Sequence, residues 1–203
     1  AAGIVPAVRT LGLAGANLTV PFKERVLAQL DGLTPAAERA GSVNVLAWEG
    51  GALIGDNTDG AGLIDAVKEA GAAVEGHALV LGAGGTARAV GAALLDAGAA
   101  SVTLLNRTLA RGDSAASAIG ADAGPLTPAS FASLARRAEL VVNCAGGEAA
   151  SAVRALDATA LPAGATWVDA NYWMPDPPHR TTPGLLFLTG HGMLLHQGLR
   201  AWR

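Results

Sequence analysis

The sequence predicts an α/β fold in two parts: a parallel sheet with helices on both faces, and a smaller α/β unit that precedes it. Three observations carry this. Near-continuous apolar runs in "HALVLGAGG", "SVTLLN", "LVVNCA" and "TWVDAN" alternate with segments of helical period, as in strands buried on both faces within a βαβ series. The first of these runs enters a glycine turn that opens a helix. Upstream, "VNVLAWE" and "ALIGDN" flank Gly50-Gly51, a hairpin signal. With 203 residues, 51% hydrophobic and 15% charged, the chain has enough apolar surface for one large core or two smaller ones.

In order, the pattern predicts a helix near Ile4 to Leu11, a strand near Ala16 to Val20 and a helix near Lys23 to Leu30. A further helix starts at Pro35, with Thr34 as cap and Pro at the first helical position. The hairpin follows. From Gly60, "AGLIDAVKEAG", "TARAVGAALLDAG", "TLARGDSAASAIG" and "TPASFASLARRA" read as helices between the apolar strands, and "GLLFLTGHGMLLHQGLRAWR" reads as strand, glycine turn and returning helix. The expected boundary lies at "DNTDG". Residues 1–59 and 190–203 form the smaller unit, and 60–189 the parallel-sheet unit. The chain starts and stops inside apolar helical patterns, so further segments are expected beyond both ends.

Composition excludes several classes. A formal charge of −3 offers no basic field for nucleic acid or anionic lipid, and no apolar run is long enough to span a bilayer. The one cysteine, Cys144, cannot form an intramolecular disulfide, which fits a reducing, cytoplasmic setting. His77, His179, His191 and His196 lack metal-ligand spacing, so no metal is expected. Trp48, Trp167, Trp173 and Trp202 are read as core or interface aromatics.

"VLGAGGTA" places Gly82, Gly84 and Ala87 as G-x-G-x-x-A between strand and helix, with Gly85 in the same turn. Gly82 permits the turn, Gly84 lets a pyrophosphate approach the backbone, Ala87 allows close helix–strand packing, and the helix start attracts the anion. This is a dinucleotide-binding Rossmann pattern. After the second strand, NAD-binding versions carry an acidic residue for the ribose hydroxyls; this chain has Asn106, Arg107, Thr108 and Arg111. Arginine pairs with a 2′-phosphate that a carboxylate would repel, so NADP is the expected cofactor. A solvated helix face is the competing reading of the two arginines.

Lys23 and Asp59 each lie at a strand-to-helix junction, and ligands of two-part dinucleotide proteins sit beyond the strand ends, between the parts. Hydride transfer between nicotinamide and an alcohol carbon needs a group that moves the hydroxyl proton, a role open to a lysine oriented by a carboxylate. Taken alone, Lys23 reads better as an exposed cation at a helix start.

The ordered set "GANLTVPFKE", "GSVNVL", "GDNTDG", "GAGGTARA", "NRTLAR" and "GHGMLLHQG", spanning Gly15 to Gly198, resembles the shikimate dehydrogenase family. The resemblance implies an α/β substrate domain beside an NADP-binding Rossmann domain, and reversible reduction of 3-dehydroshikimate to shikimate in aromatic amino-acid biosynthesis. It implies Lys23 as catalytic lysine and Asp59 as its carboxylate partner. It also implies Thr19, Asn44, Tyr172 and Gln197 as substrate-binding, with Gly190 and Met193 near the nicotinamide. The family's two carboxylate-binding serines belong to an N-terminal segment with no counterpart in this sequence, and its final helix is cut short after Trp202. Between Tyr172 and Gly190 a proline-rich stretch replaces the family's usual helix. Alternatives are a quinate/shikimate dehydrogenase using NAD and a non-catalytic metabolite-sensing homologue. The assembly is expected to be a monomer or homodimer.

Overall fold

The structure, a computed structural model, describes residues 3–173 and 177–202. The smaller unit contains α1 (Ile4–Thr10), β1 (Gly15–Asn17), a 3₁₀ turn (Leu27–Gln29), β2 (Gly32–Leu33), α2 (Pro35–Ala40), β3 (Val45–Glu49) and β4 (Ala52–Asp56). Its sheet has the order β1-β3-β4-β2. β3 and β4 form the expected hairpin, Glu49 opposite Ala52, because Gly50 and Gly51 both adopt positive φ, 58° and 86°, as a two-residue turn matched to strand twist requires. α2 forms as its signals dictate: Thr34 Oγ1 accepts from Ala37 N at 3.3 Å, Pro35 follows, and Gly41 ends the helix in the left-handed region. Val5, Val8, Val26, Val43, Leu46 and Leu53 build the core beneath this sheet.

Two expectations fail: β1 ends at Asn17 instead of continuing to Val20, and the helix expected after it does not form. The segment from Lys23 to Leu30 is not a helix; it runs as consecutive tight turns into the 3₁₀ turn. Arg25 N bonds Phe22 O at 2.9 Å and Gln29 N bonds Val26 O at 2.9 Å. The Lys23 carbonyl, which an α-helix would direct to residue 27, instead accepts from Val43 N at 2.8 Å. A tertiary hydrogen bond just ahead of β3 thus outcompetes local helical period.

The larger unit follows the sequence reading closely. It runs α3 (Asp59–Glu69), β5 (His77–Leu81), α4 (Gly85–Asp96), β6 (Ser101–Asn106), α5 (Leu109–Ile119), β7 (Asp122–Pro125), α6 (Pro128–Ala135), β8 (Ala138–Asn143), α7 (Ala150–Arg154), β9 (Thr166–Asp169) and β10 (Leu186–Thr189), after which the returning helix α8 (His191–Ala201) packs along α3. The sheet order is β10-β9-β8-β5-β6-β7, and every pairing is parallel. Successive strands run outward from β5 on one side and from β8 on the other, which is the dinucleotide-binding order with its topological switch between β5 and β8. One face is covered by α3, α4, α5 and α8 through Leu63, Val67, Val90, Leu94 and Met193. The other is covered by α6, α7 and the following turns through Phe131, Val153 and Leu161. Among the described residues no helix is long and apolar enough to cross a membrane.

Small residues let α3 pack closely on its neighbours. A Cβ on Gly62 of α3 would lie 2.6 Å from the Gln197 amide nitrogen of α8, and one on Gly60 would overlap the Ala89 carbonyl of α4. Arg88 of α4 then caps the end of α2, its guanidinium donating to Ala40 O at 2.5 Å and Gly41 O at 3.0 Å while pairing with Glu24 at 2.9 Å. Arg39 of α2 returns the contact, donating to Asp96 and to Ile119 O.

Beneath the outer face, fully buried Trp167 meets Phe131 edge-on at 6.1 Å and stacks on His179 at 4.1 Å. His179 Nε2 bonds the Leu156 carbonyl at 3.1 Å, whereas its Nδ1 and Trp167 Nε1 have no partner among the described residues. Burial holds the imidazole below its ordinary 6.5, and the Leu156 carbonyl opposes this. An unfolded chain therefore takes up this proton at higher pH than the folded one, so the contribution to stability is complete above about 6.5 and declines as pH falls. The expected outcome is that the drop in urea midpoint between about pH 7 and about pH 5 is smaller in His179→Phe than in the parent. An unchanged drop contradicts the assignment.

Candidate active site

Lys23 reaches inward from the turns that replace the expected helix, and Asp59 is the first residue of α3. Their side chains are 15% and 5% exposed, and Lys23 Nζ lies 2.6 Å from Asp59 Oδ2. The "DNT" before Asp59 sets its direction. Asn57 Oδ1 accepts from Asp59 N at 3.1 Å, and Asn57 Nδ2 donates to the backbone carbonyl and hydroxyl of Ser42, each at 2.9 Å. Thr58 donates through its hydroxyl to Gln197 O at 3.0 Å. Asn44, just ahead of β3 and 2% exposed, accepts from Thr58 N at 2.9 Å.

The Asn44 amide is oversubscribed. Its Nδ2 lies 3.0 Å from each of Thr58 Oγ1, Asp59 Oδ1 and Gln197 Oε1, yet it carries two protons. One of the three acceptors is therefore left to receive a hydroxyl proton from a ligand. Gln197 is the one that can turn toward it, being only partly buried, with its own Nε2 on Leu194 O at 2.9 Å. Lys23 likewise has a third donor with no partner among the described residues after serving Asp59 at 2.6 Å and Thr86 Oγ1 at 3.4 Å. The site thus offers an ammonium donor, a carboxylate and an amide acceptor around one point, a set suited to holding hydroxyls and moving a proton on one of them. A buried ion pair adds little net stability, although breaking one by removing a partner costs about 3–5 kcal/mol; its presence at a rim argues for chemistry.

Nearby Cys144 follows β8. Burial, reinforced by the charge of Asp59, pushes its thiol well above the ordinary range, so it is no nucleophile. Among the described residues no group of His, Cys, Asp and Glu side chains gathers to hold a metal ion.

The glycine turn lies alongside. Gly82 has φ 112°, a conformation that side chains rarely adopt. A Cβ on Gly84 would meet nothing, leaving open space at the start of α4, a twelve-residue helix whose first-turn N–H groups lack intrahelical acceptors. Ala87 is buried against the sheet. Gly85 faces Ser42, whose Cβ would stand 2.5 Å from an added one. At the end of β6, Asn106 Nδ2 donates to Thr108 O at 2.8 Å, and Arg107 and Arg111 are exposed. Arg107 pairs with Glu148 at 2.9 Å. Open backbone at the turn and cations beyond β6 fit a dinucleotide with an extra phosphate.

Of the residues singled out from sequence, Lys23, Asp59, Asn44 and Gln197 join in one hydrogen-bonded network, although Gln197 is more than 130 residues from its partners Asn44 and Thr58. Thr19 is exposed, and Tyr172 makes ring contacts with Trp173 at 5.0 Å and His191 at 5.6 Å; neither hydrogen-bonds into the network among the described residues. Gly190 packs on the Asp169 and Ala170 carbonyls, and Met193 is buried in the core beneath the parallel sheet. Sequence reasoning assigned no role to Ser42, Asn57, Thr58 or Thr86. All four lie inside or beside motifs that it did single out.

Residues 1–46 match the family profile described as shikimate dehydrogenase substrate binding domain, and residues 65–161 that described as shikimate / quinate 5-dehydrogenase. The NADP(+) shikimate dehydrogenase of Gluconobacter oxydans is 40% identical over 94% of this chain and 71% of its own. The Thermus thermophilus shikimate 5-dehydrogenase, solved with NADP(H) and shikimate, superposes with TM-score 0.84 at 40% identity over 99% of this chain and 76% of its own. The quinate dehydrogenase of Corynebacterium glutamicum, solved with NAD, gives TM-score 0.79 at 25% identity over 98% and 75%. The convergent network, the sheet order and these likenesses agree: the chain belongs to the shikimate dehydrogenase family.

Proposed function

We propose that the chain catalyses the reversible NADPH-dependent reduction of 3-dehydroshikimate to shikimate, a step of aromatic amino-acid biosynthesis. The observation that carries this is the 2.6 Å contact between Lys23 Nζ and Asp59 Oδ2, beside the glycine turn of a parallel dinucleotide-type sheet. Gly82, Gly84, Gly85 and Ala87 would hold the cofactor's pyrophosphate, Asn106, Arg107, Thr108 and Arg111 its 2′-phosphate end, and Gly190 and Met193 its nicotinamide. When bound, that group supplies or accepts the hydride. In reduction Lys23 Nζ gives a proton to the substrate carbonyl oxygen while Asp59 holds the amine in place; in oxidation the pair takes the hydroxyl proton back. Asn44 and Gln197 bind the neighbouring ring hydroxyls, Thr19 lines the pocket, and Tyr172 serves the substrate carboxylate. A polyhydroxylated ring is well discriminated by such fixed partners, since an analogue lacking one hydroxyl leaves a polar group unpaired.

This reading takes residues 1–59 with 190–203 as the substrate domain and 60–189 as the cofactor domain. It places the protein in the cytoplasm as a monomer or homodimer. The arginines after β6 favour NADP over NAD, because a guanidinium pairs with a 2′-phosphate that only NADP carries.

Two variants test the assignment. Lys23→Met is expected to lower kcat for shikimate oxidation about a thousandfold, with NADPH binding, followed by nicotinamide fluorescence, kept within about twofold; preserved turnover contradicts the role of Lys23. Arg107→Ala is expected to raise KM for NADP about tenfold while leaving KM for NAD unchanged. An equal effect on both cofactors contradicts 2′-phosphate recognition.

A further inference from the structure

Thr86 is the second residue of α4 and lies directly after the glycines of the cofactor turn. Its hydroxyl nevertheless finds its partners outside that turn. Thr86 Oγ1 donates to Asp59 Oδ2 at 2.9 Å, and Lys23 Nζ approaches the threonine Oγ1 itself at 3.4 Å. A hydroxyl has one proton. With that proton committed to Asp59, the oxygen can meet Lys23 only as an acceptor, so Thr86 closes a triangle with both members of the ion pair.

The three corners come from different places. Lys23 belongs to the smaller unit, Asp59 to the junction at the start of α3, and Thr86 to the helix that begins the cofactor turn. Close approach is built into the neighbouring positions: Gly85 faces Ser42, and Ser42 in turn holds Asn57, whose side chain bonds the Asp59 backbone. The Asp59 carboxylate is thereby fixed on one oxygen by Asn44 and on the other by Lys23 and Thr86.

Resting on the reading above, we propose that Thr86 is a positioning residue for the proton transfer: its hydroxyl ties the Lys23–Asp59 pair to the cofactor turn, so that the pair is correctly aimed only when the two units are docked. It acts through Asp59 and Lys23, and touches neither hydride donor nor substrate. Loss of the hydroxyl is therefore felt in kcat and hardly in cofactor affinity.

The test compares Thr86→Val, which keeps the side-chain shape, with Thr86→Ser, which keeps the hydroxyl, both beside the parent. With shikimate and NADP, kcat is expected to fall about tenfold in Thr86→Val, with KM for NADP within about twofold of the parent, and to return to within about twofold in Thr86→Ser. Parent-like kcat in Thr86→Val overturns the proposal, as does equal impairment of both variants, which marks a packing role. A second readout does not depend on turnover. Lys23 and Lys68 are the chain's two lysines, so side-chain ¹⁵N labelling gives two ammonium signals, with Lys68 as internal control. Proton exchange at Lys23 is expected to quicken severalfold in Thr86→Val and not in Thr86→Ser; the same rate in all three proteins overturns the proposal. An inert parent with this exchange pattern would sink the substrate assignment while leaving the role of Thr86 standing.

Discussion

A lysine and an aspartate 36 positions apart meet at 2.6 Å with little solvent between them, and much of the fold can be understood as the means of keeping them there. Two opposite charges withdrawn from water cost several kcal/mol each in lost hydration, which mutual attraction recovers only where the remaining lone pairs and protons also find partners. Here they do. Asn44 and Thr86 complete the carboxylate, Asn57 holds the backbone of Asp59, and Val43 fixes the backbone of Lys23. The hairpin is part of that arrangement: Asn44 N bonds Asp56 O at 2.9 Å, which sets the amide beside the turn that leads into α3.

The same constraint explains the abundance of small residues where elements converge. Gly60, Gly62 and Gly85 have regular helical roles, and each is small because another chain segment occupies the space of its missing side chain. The three contacts are with α4, α8 and Ser42, so they join cofactor turn, returning helix and substrate side around one point. Interiors of this density transmit small shifts. A change at Gly62 would push Gln197 and thereby disturb the Asn44 amide, although neither residue is its sequence neighbour.

The architecture was legible because buried parallel strands announce themselves as unbroken apolar runs and because the turns around Gly50 and Gly82 demand residues that few other contexts favour. What was missed lacked such marks. β2 has two residues, and β7 reads Asp-Ala-Gly-Pro, short edge elements whose pairing is decided by neighbouring strands and not by their own pattern. The helix expected after Lys23 was lost to the Val43 hydrogen bond, a long-range competitor that no local window contains. In the site, residue type and position singled out Lys23 and Asp59, whereas Asn44 and Gln197 came only through the family resemblance. Thr86 escaped because its motif is explained by backbone needs of a phosphate turn, and nothing in a glycine-rich string says where a threonine hydroxyl will point.

The central claim is that one substrate hydroxyl is served by amine and acid together. A crystal structure of the chain with NADP and shikimate bound tests it most directly. The account predicts a ring hydroxyl within hydrogen-bond reach of both Lys23 Nζ and an Asp59 oxygen, on the carbon that faces the nicotinamide. Shikimate bound with that carbon turned from the nicotinamide, or its hydroxyl held by neither group, would contradict it.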